Sequence, residues 1–331
     1  GTFLIRVIQV FPRGPADNDK RRMVLFNVGN IIETGHPCLQ ACDALLYVWQ
    51  GGMTGGYGVA DVLTGAVNPS GRLADTIAGR IGDYPSTRNF GDEVRNYYQE
   101  DIYVGYRYFE TMAKRAVLYP FGYGLSYTEF EETVSGWKED RGDLSFSVHV
   151  TNTGSVSGKQ VVQVYVEAPQ GALGKPSRVL AAFAKTNELE PGETASLPFY
   201  ISRYDYASYD DSGATGRPFC YVLEPGTYRV YMGKNVRDAR YAGQFSLDSL
   251  HIVQQLTQTL APSASFERMR PQVPGAGGTE DGCAGDMEIA YEPVPSGGEQ
   301  EEAKRKRQIP PEIANTGDKA CRLRAVREGT V

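Results

Sequence analysis

The chain has 331 residues, which suits about two domains, and 41% of them are hydrophobic, enough for ordinary buried cores. Its net charge is −6 with no basic face, so a nucleic-acid partner is not expected. No apolar stretch is long enough to span a bilayer, and no membrane partner is expected.

The five cysteines, at 38, 42, 220, 283 and 321, are odd in number and scattered. They read as free thiols in a reducing compartment, which makes a cytoplasmic location the expectation. His36 lies beside Cys38 and Cys42, but a zinc site needs a fourth ligand that the sequence does not supply. Residue 1 is Gly and no signal-peptide pattern follows, so a processed or truncated N-terminus is expected. The 21 tyrosines suit the face of a sugar ring, and they equally suit β-strands.

Along the chain, Gly1 to Lys20 fits no element, because Phe11-Pro12-Arg13-Gly14-Pro15 breaks it. Met23 to Gly29 is a short apolar run ended by glycine, as in a buried strand, and Ala44 to Trp49 is a second. The glycine-rich turn Gln50 to Gly56 follows. Val59, Val62 and Leu63 then recur at helical spacing, Gly65 is placed to cap that helix, and Asn68-Pro69-Ser70-Gly71 marks a turn. Strand, glycine turn and helix form the repeating unit of a parallel sheet, so residues 1–128 read as an α/β piece.

The period changes after that. Leu144, Phe146, Val148 and Val150 alternate with Ser145, Ser147 and His149, and Val162, Val164 and Val166 alternate with Gln163 and Tyr165. Turn signals stand at Asn152-Thr153-Gly154, Glu190-Pro191-Gly192-Glu193 and Glu224-Pro225-Gly226-Thr227. Residues 129–255 therefore read as an all-β, immunoglobulin-like sandwich with Leu144, Phe146, Val148 and Val150 inward. Residues 256–331 are rich in Pro, Gly and charge and read as an extended connector, weakly packed over 268–308, with Glu288-Ile289-Ala290-Tyr291 as one possible strand. Lys304 to Arg307, after the acidic Glu299 to Glu302, reads as a solvated linker.

Little in the residues alone carries chemistry. Gly51-Gly52-x-x-Gly55-Gly56 invites a dinucleotide reading, with Asp75 about 20 residues on, but it does not match G-x-G-x-x-G, and a tight turn explains it equally. The three histidines form no Ser-His-Asp set. Asp75, Glu100, Asp101 and Glu110 stand near aromatic residues, and spacing alone does not pair them.

The dense segment Asn96-Tyr97-Tyr98-Gln99-Glu100-Asp101-Ile102-Tyr103-Val104-Gly105-Tyr106-Arg107-Tyr108-Phe109-Glu110 is followed by Tyr119-Pro120-Phe121-Gly122-Tyr123-Gly124-Leu125-Ser126-Tyr127-Thr128. Earlier come Trp49-Gln50-Gly51-Gly52-Met53-x-Gly55-Gly56, Ala60-Asp61-Val62-Leu63-x-Gly65 and Asn68-Pro69-Ser70-Gly71-Arg72-Leu73. In this order they resemble the end of the α/β sandwich domain of glycoside hydrolase family 3, the family of many β-glucosidases and β-xylosidases. Val150-x-Asn152-Thr153-Gly154 and Glu224-Pro225-Gly226-Thr227-Tyr228 are similar to that family's fibronectin-III-like domain. Leu260 to Ser263, Phe266-Glu267-Arg268 and Ile309 to Lys319 resemble connectors of a subgroup in which the catalytic barrel comes last.

The resemblance implies a partial α/β sandwich domain over 1–128, a fibronectin-III-like sandwich over 129–255, and a linker toward a missing catalytic barrel over 256–331. It implies retaining hydrolysis of a terminal β-linked sugar, with an oligosaccharide or β-glycoside substrate, the barrel as partner, and no metal or organic cofactor. The nucleophilic Asp of the family belongs to the barrel and the acid/base Glu lies upstream of Trp49, so neither catalytic carboxylate is assigned in this chain, which is expected to be inactive alone. Trp49, Glu100, Tyr106, Arg107 and Tyr108 are the candidates for a substrate-binding wall; alternatively they pack the domains together. A non-catalytic sugar-binding or spacer module is the competing function.

Overall fold

The computed structural model describes residues 22–272 and 286–297. The expectations for Gly1 to Lys20, for Lys304 to Arg307 and for Ile309 to Lys319 lie outside these residues.

Strand β1 (Met23–Phe26) is apolar throughout and buries Val24 and Phe26. Helix α1 (Pro37–Gln40) opens with proline, and His36 Nδ1 accepts the Cys38 N–H at 3.3 Å, so His36 serves as a helix cap. Strand β2 (Ala44–Tyr47) runs parallel to β1, with Val24 opposite Leu45 and Phe26 opposite Tyr47. Trp49 and Gly52 then turn the chain at φ 52° and 64°. Helix α2 (Gly55–Thr64) follows and ends at Gly65, whose φ of 78° only glycine adopts freely. The parallel pair and the glycine turn into a helix are as the sequence predicts.

The broader α/β layer is not. Helix α2 buries no residue, and Tyr57 and Leu63 are exposed. The turn at Asn68–Gly71 ends the strand–helix alternation. The next strands, β3 (Ile77–Ala78) and, after helix α3 (Tyr106–Met112), β4 (Val117–Tyr119), pair antiparallel with each other. The described protein is mostly β with few helices.

Ten antiparallel strands follow: β5 (Phe130–Asp140), β6 (Asp143–Asn152), β7 (Val161–Glu167), β8 (Val179–Lys185), β9 (Thr194–Ile201), β10 (Ser208–Asp210), β11 (Cys220–Leu223), β12 (Gly226–Gly233), β13 (Arg240–Leu247) and β14 (His251–Gln255). They form sheets ordered β5-β6-β9, β13-β12-β7-β8 and β10-β11-β14. The first two face each other across one core, built from Leu144, Phe146, Val148 and Val150 on β6 and Val162, Val164 and Val166 on β7, with Tyr228 and Val230 of β12. The inward set on β6 is the predicted one. His149, on the other face, meets the Ser135 hydroxyl at 2.7 Å. Strand β7 is buried on both faces, because Gln163 and Tyr165 pack against the first region.

The recognised motifs build that contact. Asn68 donates to the Ser157 carbonyl at 3.0 Å and accepts the Tyr127 N–H at 2.8 Å. Arg72 donates to the Gly124 carbonyl and, at 2.5 Å, to Gln160, whose amide donates to Glu132 at 2.6 Å. Gln163 donates to the carbonyls of Gly122 and Lys234 at 3.2 and 2.6 Å, and a Cβ on Gly122 would overlap its amide. Tyr106 stacks on Phe121 at 4.5 Å and stands edge-on to Tyr165 at 6.3 Å.

The expectation of a weakly packed segment from 268 onward fails for its described residues. Strands β15 (Phe266–Gln272) and β16 (Glu288–Val294), the second at the predicted position, pair antiparallel. Met269 is 2% exposed in a cluster with Tyr103 and Phe109, and its N–H donates to the Gln99 carbonyl at 2.7 Å. Composition misled here because the partners of these residues are far away in sequence.

Two tests follow from this packing. Phe146 stacks between Trp137 and Phe199 at 5.4 and 5.5 Å. Phe146→Ala is expected to destabilise the protein by about 3–5 kcal/mol in urea unfolding, while Ser147→Ala on the other face changes stability by no more than about 0.5 kcal/mol; equal losses would contradict the register. Burial, only partly offset by Gln160 and the charges of Lys234 and Arg72, raises the Glu132 pKa. The folded state therefore holds this proton more tightly than the unfolded chain. The stability it adds is complete below the ordinary glutamate pKa of about 4.3 and is lost as pH rises through the raised value. Melting temperatures from about pH 4 to about pH 8 should fall less steeply for Glu132→Gln than for the wild type, and parallel curves would rule out this assignment.

Candidate functional site

The segment from Asn96 to Met112 and the turns at Ile81–Asp83 and Pro85–Arg88 enclose a cavity of about 230 Å³. Short turns form there because Gly79, Gly82 and Pro85 interrupt any longer element. Tyr84 fixes them: its hydroxyl donates to the Thr76 carbonyl at 2.8 Å and accepts the Ala78 N–H at 2.9 Å, while its ring meets Phe109 edge-on at 5.1 Å.

Asp83, Arg88, Asn89, Gln99, Glu100 and Tyr108 line one side, and Met269, Ile289 and Tyr291 of the β15–β16 pair close the other. Glu100 is half-buried and accepts the Ser86 N–H at 3.1 Å. Burial raises its carboxyl pKa, and the bond from Ser86 pulls it partly back. Burial also raises the Tyr108 hydroxyl, against the pull of the nearby Arg88 charge. Asn89 donates to the Tyr97 carbonyl at 2.7 Å, which leaves its side-chain oxygen as an acceptor. Liquid water takes up about 30 Å³ per molecule, so the space holds roughly eight waters or one hexose ring. Its lining can donate and accept hydrogen bonds and includes two aromatic residues, Tyr108 and Tyr291, which is the chemistry that a polyol requires.

The predicted wall is split. Glu100 and Tyr108 share this cavity. Tyr106 and Arg107 border a larger cleft of about 810 Å³. The Tyr106 hydroxyl accepts the Leu180 N–H at 2.9 Å, so this side chain joins α3 to β8. Trp49 stands apart, half-buried beside Tyr47 with ring centroids 5.3 Å apart, and lines neither space. Arg88, Asn89 and Gln99 were not anticipated, because the turns from 81 to 89 show no periodicity. Tyr291 was not, because it reaches the site through a ladder formed with a strand remote in sequence, Met269 lying opposite it.

The other carboxylates singled out in this stretch are engaged structurally. Glu110 is buried against Arg237, with Nε to Oε1 at 2.9 Å; burial raises its pKa and Arg237 opposes the rise. Asp101 accepts from Arg270 at 2.8 Å. Among the described residues, no group of three or more His, Cys, Asp or Glu side chains is placed to hold a metal ion. No helix of the described residues is long and apolar enough to cross a membrane.

Residues 14–127 match the glycosyl hydrolase family 3 C-terminal domain, and residues 160–236 match a fibronectin type III-like domain. A β-glucosidase of Ruminococcus albus is 47% identical over 95% of this chain and 32% of its own length. β-Glucosidase A of Butyrivibrio fibrisolvens is 43% identical over 76% of this chain and 33% of its own length. Among solved structures, a β-glucosidase from Paenibacillus barengoltzii superposes with a TM-score of 0.78 at 48% identity, over 86% of this chain and 32% of that one. β-Glucosidase 3B from Thermotoga neapolitana in complex with glucose superposes at 0.63 and 39% identity, over 70% of this chain and 32% of that one. The chain thus spans about a third of the length of the curated relatives it matches. With its motifs in family order and both domain types present, it belongs to glycoside hydrolase family 3, as a C-terminal-type domain joined to a fibronectin type III-like domain.

Proposed function

We propose that this chain forms part of a retaining β-glucosidase and contributes the walls around a catalytic barrel rather than the catalytic carboxylates. The observation that carries this is the 47% identity to the Ruminococcus albus β-glucosidase over 95% of the chain. In the same proposal, the β1–β2 pair and α2 belong to a partial α/β sandwich, residues 129–255 are the fibronectin-like unit, and the remainder leads toward the barrel. The free thiols Cys38, Cys42 and Cys220 support a reducing, cytoplasmic setting.

Retaining hydrolysis needs two carboxyl groups about 5–5.5 Å apart on either side of one glycosidic bond. One attacks the anomeric carbon and displaces the leaving oxygen, which the other protonates; that second group then takes a proton from water as it opens the glycosyl ester. Glu110, Asp101 and Glu132 are committed to Arg237, Arg270 and Gln160, and the two carboxylates of the smaller cavity, Glu100 and Asp83, accept the backbone N–H groups of Ser86 and Arg80. We assign to Glu100 and Tyr108 the binding of a sugar ring: Glu100 accepts from hydroxyls, and Tyr108 presents its ring edge and hydroxyl.

Purified as these 331 residues, the protein is expected to release no nitrophenol from nitrophenyl β-glucoside, whereas a chain extended to the full length of its relatives turns it over. Equal turnover by both would place the catalytic pair inside this chain, with Glu100, Asp101 and Glu110 the first to replace. Separately, glucose titrated into the 331-residue chain should perturb the Tyr108 resonances, and Glu100→Gln or Tyr108→Phe should weaken that binding roughly three- to tenfold. Unchanged affinity in both variants would remove the cavity from the reading.

A further inference from the structure

The cleft of about 810 Å³ beside α3 has a makeup of its own. One wall is Arg107 with the loop before it. The lining also includes Tyr204, Tyr209 and Tyr221, whose rings form a continuous strip with centroids 4.8 and 5.2 Å apart. Tyr209 is 38% exposed, and Tyr204 and Tyr221 are half-buried, so the strip offers aromatic surface to the cleft without being fully covered.

Of the four cations that line the cleft, three are paired. Lys175 is buried against Glu224. Arg268 and Arg270 share Asp101 and Glu292, and Arg268 also holds Asp211. Arg107 is the fourth. Its guanidinium makes no ion pair or hydrogen bond among the described residues, although it is half-buried. Nothing in the fold requires an arginine there, and a half-buried fork of five donors lacks the partners such groups usually find. The same lining includes Asp205, which accepts the Ser202 N–H at 2.8 Å and keeps further acceptor capacity.

From this juxtaposition we infer that the cleft binds a neutral oligosaccharide chain, which lies along the tyrosine strip and takes hydrogen bonds from Arg107. Three features select that class. Charges of both signs line the space in near balance, so no net field favours an anion or a cation. Tyrosine rings pack on the apolar faces of pyranoses while leaving the hydroxyl edges free for the polar groups. The volume is more than three times that of the Glu100 cavity, room for about three rings, and falls within the usual range for ligand clefts. The ligand class, though not the cleft, rests on the glycosidase reading. The site would hold a glucan chain by its length, while cleavage takes place elsewhere in the full-length enzyme.

The test is calorimetric or NMR titration of the 331-residue chain with cellotetraose, glucose and a polygalacturonate fragment of equal length. Cellotetraose is expected to bind at least tenfold more tightly than either of the others at this cleft. Arg107→Gln removes no contact that holds the fold, so its melting temperature should match the wild type while its cellotetraose affinity falls about tenfold. Tyr209→Ala should give a similar loss, and Tyr200→Ala, exposed on another strand, none. The inference is overturned if cellotetraose fails to bind, if polygalacturonate binds as tightly, or if Arg107→Gln and Tyr209→Ala both leave the affinity unchanged. These readouts use no turnover, so they fail or succeed independently of the hydrolase assay.

Discussion

Everything described here hangs on the guanidinium of Arg268. It is 7% exposed and reaches three parts of the chain at once: Asp101 before α3 at 3.4 Å, Asp211 beyond β10, and Glu292 on β16 at 2.6 Å. Burial by itself would lower its pKa, but Asp211, Asp101 and Glu292 more than reverse that, and the net shift is upward. A charge so far from water is tolerable only when its donors are filled, and an arginine fork can fill them with several carboxylates at once. Removing any one carboxylate leaves a buried charge short of partners, so the three regions are locked in one arrangement. That arrangement shapes both the Glu100 cavity, roofed by β15 and β16, and the larger cleft, whose floor includes Arg268 itself.

The family motifs take on a physical meaning in this setting. Asn68 and Arg72 bind across to Ser157 and Gln160, while the Phe121–Gly122 turn presses on Tyr165 and Gln163. These are contacts between the first region and the sandwich. They explain why β7 is apolar on one face and yet buried on both, and why glycine stands at 122, where a side chain would collide with Gln163. A second buried pair, Lys175 with Glu224, fastens the loop after β7 to the β11–β12 turn. Burial lowers the lysine pKa, against the pull of Glu224.

The sequence reading succeeded where the deciding interaction is local. Period-two alternation placed Leu144 to Val150 inward because burying one face of a strand needs only its neighbours on the same strand. The parallel pair was visible in two apolar runs, the second followed by a glycine turn and a capped helical segment. It failed where the partner is remote. Arg268 and Met269 sit in a stretch whose prolines, glycines and charges look like a tether, and only the folded chain brings Asp101 and Asp211 to them. The candidate wall was legible only in part for the same reason. Glu100 and Tyr108 meet through α3, but Tyr106 points to Leu180, and Trp49 belongs to the β2 end of the first region. Spacing along one segment does not say which neighbour each side chain will find.

The central claim is that Arg268 couples the β15–β16 pair to the rest of the protein. Amide hydrogen exchange on Arg268→Gln measures this directly. The Met269 amide donates to Gln99 and the Met287 amide to Thr111, and both should lose protection by about a hundredfold or more, as an unpaired buried network costs about 3 kcal/mol. Amides of the sandwich core such as Val164 should keep theirs. Equal protection of Met269 and Met287 in the wild type and the variant would contradict the account.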